Sequence, residues 1–184
     1  YFDRYQGIPI GGYTSIFEKM LDGIPVELNT DFHLDRETLL SKFDHVIFTG
    51  PIDSFFDYSL GHLEYRSLRF DHQLVNCSDH QGNAVINHTE SQVPHTRTYE
   101  HKHFDMNFSA SKSAVTYEYP DKWEPGKIEI YPVNTDENQS LFEKYQIMAK
   151  EVPNVTFGGR LGQYRYYDMH QVIASALEKV KTLA

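Results

Sequence analysis

The sequence predicts an α+β fold: a mainly antiparallel sheet of about six strands with flanking helices, followed by a C-terminal strand, turn and helix of different character. Apolar and polar residues alternate along the middle of the 184-residue chain, in short segments separated by turn residues. Short connections between such segments favour antiparallel pairing. The last 30 or so residues instead resemble one strand–helix unit of an open sheet. We therefore predict a sheet domain over residues 1–152 and part of a second domain over 153–184.

The individual elements follow from local patterns. A helix is predicted to start at the N-cap Thr14 and to stop at Gly23. Alternation and turn residues predict strands over 24–28, 45–49, 65–74, 84–88, 96–104, 114–119, 127–131 and 155–157. Helical spacing predicts helices over 53–58, 136–152 and 169–183. The last of these is expected to bury Val172, Ile173, Ala176, Leu177 and Val180.

Composition narrows the class of protein. The net charge of −9 argues against a general binder of nucleic acid. Cys77 is the single cysteine, which excludes an internal disulfide and predicts a reducing, cytoplasmic setting. No apolar run approaches the roughly 20 residues that a membrane-spanning helix needs. Because the first residue is Tyr1 rather than Met, we expect the chain to be part of a longer protein.

A glycine turn near the C-terminus is the first candidate site. Gly158 and Gly159 follow a short strand and precede Arg160, and paired glycines let a ligand approach the backbone. Asp168 stands just before the last helix, where it is a candidate N-cap. The free amides at this helix end carry a partial positive charge, which suits a planar anionic ligand. A plain surface arginine and a plain helix cap remain the simpler alternatives.

A polar strand is the second candidate. On an extended strand, Arg97, Tyr99, His101 and His103 share one face. The alternative is a solvated strand of mixed charge. Metal binding by the two histidines is not expected, on the interpretation that no Asp, Glu or Cys lies near them in sequence to complete a site.

With these pieces in place, the chain resembles the UDP-galactopyranose mutase family. The matching motifs run in order through most of the chain. They are Tyr5-Gln6-Gly7-Ile8-Pro9-Ile10-Gly11-Gly12-Tyr13-Thr14, Thr49-Gly50-Pro51-Ile52-Asp53, Leu63-Glu64-Tyr65-Arg66-Ser67-Leu68, Gln81-Gly82-Asn83-Ala84-Val85-Ile86-Asn87, Thr96-Arg97, Glu100-His101-Lys102, Tyr131-Pro132, Gly159-Arg160-Leu161-Gly162 and Asp168-Met169. The resemblance places the chain as the C-terminal half of such an enzyme, with 153–184 belonging to its FAD-binding domain. The N-terminal dinucleotide motif is absent.

The resemblance implies a flavoenzyme that interconverts UDP-galactopyranose and UDP-galactofuranose, supplying galactofuranose for cell-surface glycans. Reduced FAD would act through a covalent adduct between its N5 atom and galactose. The matching positions imply roles for ten residues. Arg97, Tyr131, Tyr166 and Asp168 would be catalytic; Arg97, Tyr131 and Tyr166 would bind the diphosphate, Asn87 would lie near the sugar, Tyr1 and Phe2 near the uridine, and Gly159, Arg160, Asp168 and Met169 near FAD.

Two other functions stay open at this point. One is a non-catalytic fragment that binds a sugar nucleotide without retaining FAD. The other is an amine-oxidase-like flavoprotein of similar architecture. A homodimer is one expectation for the intact enzyme. The chain alone is expected to be inactive because the dinucleotide motif is missing.

Overall fold

The structure, a computed structural model, describes residues 4–105 and 109–183. Helices and strands alternate irregularly along the chain, as expected for an α+β fold. The helices are α1 (Thr14–Met20), α2 (Arg36–Lys42), α3 (Ile52–Phe55), α4 (Asp136–Ala149), α5 (Gly159–Gly162) and α6 (Met169–Leu183), with a 3-10 helix at His101–Phe104. The strands are β1 (Val46–Phe48), β2 (Tyr65–Val75), β3 (Val85–Asn87), β4 (Arg97–Glu100), β5 (Ser113–Lys122), β6 (Tyr131–Pro132) and β7 (Val155–Phe157).

Two sheets account for these strands. Five strands form a sheet in the order β3-β4-β5-β2-β6. The pairs β3–β4, β4–β5 and β2–β6 are antiparallel. The other sheet is the parallel pair β1–β7, in which Val46 lies opposite Val155. The predicted α+β class and the separate character of the C-terminal strand and helix are therefore confirmed.

The chain forms two compact units. The first contains residues up to Asn29 together with Arg69–Pro120, and the second contains Thr30–Leu68 together with Asp121–Ala184. Strands β2 and β5 contribute to both, because the divisions fall within them. These units describe how this chain folds. The predicted division into 1–152 and 153–184 concerns the domains of a longer protein and stays a prediction.

The core of the second unit is aromatic. Phe48 and Val155 of the parallel pair form one buried cluster with Phe55 of α3. A second cluster contains Ile52, Leu63, Tyr65, Phe142, Tyr145 and Tyr164. Asp53 of α3 has a buried carboxylate. It accepts hydrogen bonds from the amide of Leu63 at 2.9 Å and the hydroxyl of Tyr65 at 3.4 Å.

Several predicted strand boundaries were wrong, and pairing explains them. Residues 24–28 alternate but form no strand, and 127–130 precede the short strand β6 without joining it. Extended segments need a neighbouring strand for their backbone hydrogen bonds, which alternation alone does not supply. The predicted strand 96–104 stops at Glu100 and continues as the 3-10 helix. Helix α1 has Tyr13 rather than Thr14 at its N-cap, and α2 was not predicted.

Helix α6 has the predicted bounds, but its predicted burial was wrong. None of its described residues is buried. Ile173, Leu177 and Val180 are 59%, 62% and 53% exposed. The helical pattern is local, whereas burial depends on what packs against the helix. Among the described residues, no helix is long and apolar enough to cross a membrane.

Candidate functional site

The turn after β7 places Arg160. The amide of Gly158 donates to the carbonyl of Phe48 at 2.9 Å, which ties the end of β7 to β1. Gly159 has a φ of +72°, in the left-handed region that favours glycine. A Cβ on Gly162 would lie 3.0 Å from the Phe48 carbonyl oxygen. The chain therefore turns sharply and α5 packs directly on the strand end, which holds Arg160 in one position.

Arg160 stacks on two tyrosines. Its Cζ atom lies 5.3 Å from the ring centroid of Tyr131 and 4.8 Å from that of Tyr166. The two rings are 5.4 Å apart and inclined by 30°. Nη1 donates to the carbonyl of Ile130 at 3.2 Å, and Nη2 donates to the carbonyl of Tyr167. A planar guanidinium suits both the stacking and the forked donation, so Arg160 fixes both phenol side chains.

The start of α6 lies beside this group. The hydroxyl of Tyr166 donates to Oδ1 of Asp168 at 3.3 Å. Partial burial and the nearby Asp168 carboxylate raise the pKa of Tyr166, so its hydroxyl keeps its proton at neutral pH. Gln171 Oε1 accepts from the backbone amide of Asp168 at 2.9 Å, which is one half of a capping box.

Met169 begins the helix and is 66% exposed. The first amides of a helix have no acceptor within it and carry about half a positive charge. An arginine, two phenol groups and a positive helix end thus meet in the second unit. Such a set of donors suits a ligand that combines negative charge with a planar ring.

Arg97 belongs to the first unit and sits in a row across the sheet. Asn87 on β3 and Glu118 on β5 are its direct cross-strand partners. Its Nε donates to Asn87 Oδ1 at 2.8 Å, and its Nη1 lies 3.6 Å from Glu118 Oε2. The side chain is 44% exposed, against 7% for Glu118. Arg97 is therefore oriented by its neighbours while its guanidinium still reaches the surface.

Tyr99 and Glu118 complete this group; the sequence places Tyr99 on the same face as Arg97 but does not indicate Glu118. The hydroxyl of Tyr99 donates to Glu118 Oε2 at 2.6 Å and accepts from Arg97 Nη1 at 3.4 Å. Burial and the bond to Glu118 raise the pKa of Tyr99. The i, i+2 spacing of Arg97 and Tyr99 was a usable signal. The contact with Glu118 could not be predicted from the sequence, because strand pairing sets which residue of β5 lies opposite Arg97.

The histidines after β4 do not follow the predicted alternation. His101 Nε2 bonds to Thr116 Oγ1 at 2.7 Å. His103 Nε2 lies 3.2 Å from Asp79 and 3.4 Å from Glu100, so the expectation that no carboxylate accompanies these histidines was wrong. The ammonium of Lys102 is 3.5 Å from a carboxylate oxygen of each of the two acids. A positive charge already occupies the place between these carboxylates.

The predicted site residues fall into two groups. The first unit holds Asn87 and Arg97, and the second holds Tyr131, Gly159, Arg160, Tyr166, Asp168 and Met169. Each group is brought together within its own unit. Tyr1 and Phe2 lie outside the described residues.

In each unit, then, an arginine is held by polar or aromatic neighbours at an accessible surface. The fold is that of an α+β protein, and arginine and phenol donors of this kind are common in phosphate-binding sites. A family model described as UDP-galactopyranose mutase matches residues 1–166. The chain belongs to the UDP-galactopyranose mutase family.

Individual relatives agree with this. A dTDP-fucopyranose mutase of Escherichia coli is 37% identical, over 97% of this chain and 48% of its own length. A probable UDP-galactopyranose mutase of Klebsiella pneumoniae is 39% identical, over 97% of this chain and 46% of its own length. The chain thus spans about half the length of the curated relatives it matches.

A solved structure supports the fold. The crystal structure of a reduced UDP-galactopyranose mutase superposes with a TM-score of 0.58 at 16% identity. The superposition covers 77% of this chain and 42% of that one. At this identity the likeness concerns the fold.

Proposed function

We propose that this chain supplies substrate and flavin contacts of an FAD-dependent isomerase that interconverts UDP-galactopyranose and UDP-galactofuranose. The observation that carries the proposal is the family match over residues 1–166, which includes both arginines, Arg97 and Arg160. The relatives' names differ in nucleotide and sugar, but all specify a nucleoside diphosphate sugar and a mutase. The diphosphate is the shared feature that arginine and phenol donors would bind.

Arg97 is the proposed contact to the diphosphate. Its side chain is held by Asn87 and Glu118, so little conformational freedom is lost when an anion binds. A charge-assisted bond to phosphate strengthens as negative charge develops on the departing UDP. The buried Glu118 keeps the guanidinium in place during this change, and Asn87 lies beside it for a sugar hydroxyl.

Tyr131 and Tyr166 are the proposed phenol donors to phosphate. The Arg160 guanidinium holds both rings. The Tyr166 hydroxyl has one proton, so it would turn from Asp168 to the phosphate when the ligand binds. This role for Arg160 adds to its predicted contact with FAD. Its two bonds to backbone carbonyls fix the segment in which Tyr166 lies.

The donors around α6 fit a flavin. Gly159 offers close backbone approach, and the free amides after Asp168, including that of Met169, suit the negative charge of a reduced ring. When bound, reduced FAD supplies the nucleophile for the anomeric carbon of the sugar. The Asp168 carboxylate orients the Tyr166 hydroxyl at the edge of this site.

Binding of UDP to the 184-residue chain tests the role of Arg97. We expect Arg97→Ala to weaken binding at least tenfold, since losing a hydrogen bond to a charged group costs roughly 1.5–3 kcal/mol. Arg97→Lys keeps the positive charge but loses the forked pair of donors, so its affinity for UDP should lie between those of Arg97→Ala and the parent chain. Arg69→Ala removes an arginine that instead stacks on Tyr119 and serves as the control. Equal affinities measured by titration calorimetry for Arg97→Ala and the parent chain would remove Arg97 from this role.

Absorbance of the purified chain and a product assay separate the alternatives. We expect the purified chain by itself to be colourless, without bound flavin, and not to isomerise the sugar nucleotide. A chimera in which it replaces the matching half of the Klebsiella pneumoniae relative should convert UDP-galactofuranose to UDP-galactopyranose with dithionite-reduced FAD. Flavin-dependent oxidation of amines without sugar isomerisation would contradict the proposal. A cytoplasmic location, a role in cell-surface glycans and a homodimer remain predictions.

A further inference from the structure

A buried carboxylate lies beside Arg97, yet the two side chains form only a loose ion pair. The side chain of Glu118 is 7% exposed, and its Oε2 atom lies 3.6 Å from Nη1 of Arg97. A charge-assisted bond between a guanidinium and a carboxylate is normally about 2.7–2.9 Å long. Because a buried carboxylate needs hydrogen-bond donors, Glu118 must obtain them from other groups.

Two neutral hydroxyl groups supply these bonds. The phenol of Tyr99 donates to Oε2 of Glu118 at 2.6 Å. The hydroxyl of Thr96 lies 3.1 Å from Oε1 and shares its proton between this atom and the backbone carbonyl of Glu118 at 3.2 Å. Burial and the bond to Glu118 raise the pKa of Tyr99, so the phenol keeps its proton at neutral pH. Each oxygen of the carboxylate thus has a donor that carries no charge.

The phenol of Tyr99 also contacts the cation. Its oxygen accepts from Nη1 of Arg97 at 3.4 Å, since the two residues are i and i+2 on β4 and share a face of the sheet. Glu118 stands opposite Arg97 on β5. The phenol therefore lies between the cation and the anion, and its proton points to the anion.

We propose that Tyr99 is a positioning residue for the diphosphate: its hydroxyl occupies Oε2 of Glu118 and so keeps Arg97 out of a tight ion pair. This inference rests on the proposed function of Arg97. Without the phenol, a buried oxygen of Glu118 would lose its donor, which is costly away from water. The guanidinium would then move closer and bond to the carboxylate directly. An arginine whose charge is balanced by a close carboxylate attracts phosphate less strongly.

The test combines Tyr99→Phe with Glu118→Gln in the 184-residue chain and measures the affinity for UDP by titration calorimetry. We expect Tyr99→Phe to weaken UDP binding roughly fivefold, the size expected for one hydrogen bond. In the Glu118→Gln chain, where a neutral amide replaces the carboxylate, the same change should weaken binding less than about twofold. A phenol that only supported the sheet would give the same loss in both backgrounds. Tyr119→Phe removes the hydroxyl of a ring that stacks with Arg69 and should leave the affinity unchanged.

Tyr99→Phe keeps the aromatic ring, and its urea midpoint is measured beside that of the parent chain. Equal weakening in both backgrounds, or no weakening by Tyr99→Phe, would overturn the role of Tyr99. Arg97→Ala separates this result from the proposed function. If Arg97→Ala binds UDP as well as the parent chain does, the proposed function fails and the role of Tyr99 fails with it. If Arg97→Ala weakens binding and Tyr99→Phe does not, only the role of Tyr99 is overturned.

Discussion

Replacing Glu100 with glutamine should destabilise the first unit in a pH-dependent way. The side chain is fully buried and its carboxylate accepts three hydrogen bonds. The donors are the amides of His80 at 2.9 Å and Gln81 at 2.8 Å and the hydroxyl of Ser113 at 2.5 Å. Glutamine has the same shape, but its NH₂ group would face one of these donors. A neutral acceptor and a mismatched donor would thus replace an ideal anion site.

The pKa of Glu100 indicates how much the ionised side chain contributes to the free energy of unfolding. Burial alone would raise this pKa, but the bonds from Ser113, His80 and Gln81 and the charge of Lys102 outweigh burial and lower it to about 2. An unfolded glutamate has a pKa of about 4.3, so the ionised form is favoured in the folded chain by about 3 kcal/mol at neutral pH. Because the folded pKa is the lower one, this stability is present above about pH 4.3. It is lost as the pH falls towards 2.

Urea unfolding at pH 7 and pH 3 measures the effect. We expect Glu100→Gln to lower the free energy of unfolding by about 2–3 kcal/mol at pH 7. The difference from the parent chain should shrink by more than about 1 kcal/mol at pH 3, where part of the parent's advantage is gone. Glu124→Gln, at an exposed position, serves as the control. A difference that stays constant between the two pH values would refute the reasoning.

Two further predictions concern the packing beneath the candidate site. Gly162→Ala should lower the free energy of unfolding by roughly 1–3 kcal/mol, because its Cβ would lie 3.0 Å from the backbone oxygen of Phe48; an unchanged urea midpoint would contradict this. Tyr164→Phe should cost about 1–3 kcal/mol, since the buried hydroxyl shares its one proton between the carbonyls of Glu64 at 2.6 Å and Val133 at 3.0 Å. Thermal unfolding followed by circular dichroism checks the second variant, and a melting temperature equal to the parent's would show that these carbonyls find other donors.

Local pattern was sufficient for part of the fold. Helix α6 begins at Met169 and ends at Leu183, as helical spacing predicts, and β7 covers Val155–Phe157 as predicted. Both are short-range consequences of side-chain periodicity. The strand predicted over 24–28 had the same kind of signal and failed, because no strand pairs with it among the described residues.

The candidate residues were proposed from the sequence, whereas their contacts are seen only in the structure. Glycines before Arg160 and the spacing of Arg97 and Tyr99 are visible in the sequence. Arg160 donates to the carbonyl of Ile130, which lies 30 residues away along the chain. Glu118 meets Arg97 only through the register of two strands.

The sequence by itself determined the family, the α+β class and the positions of the two arginines, because these are carried by ordered motifs and local spacing. Only the tertiary structure decided which partners hold each arginine and that α6 is exposed. Those facts depend on contacts between residues far apart in the chain. Such contacts are selected by packing and hydrogen bonding of the whole fold, which no local pattern records.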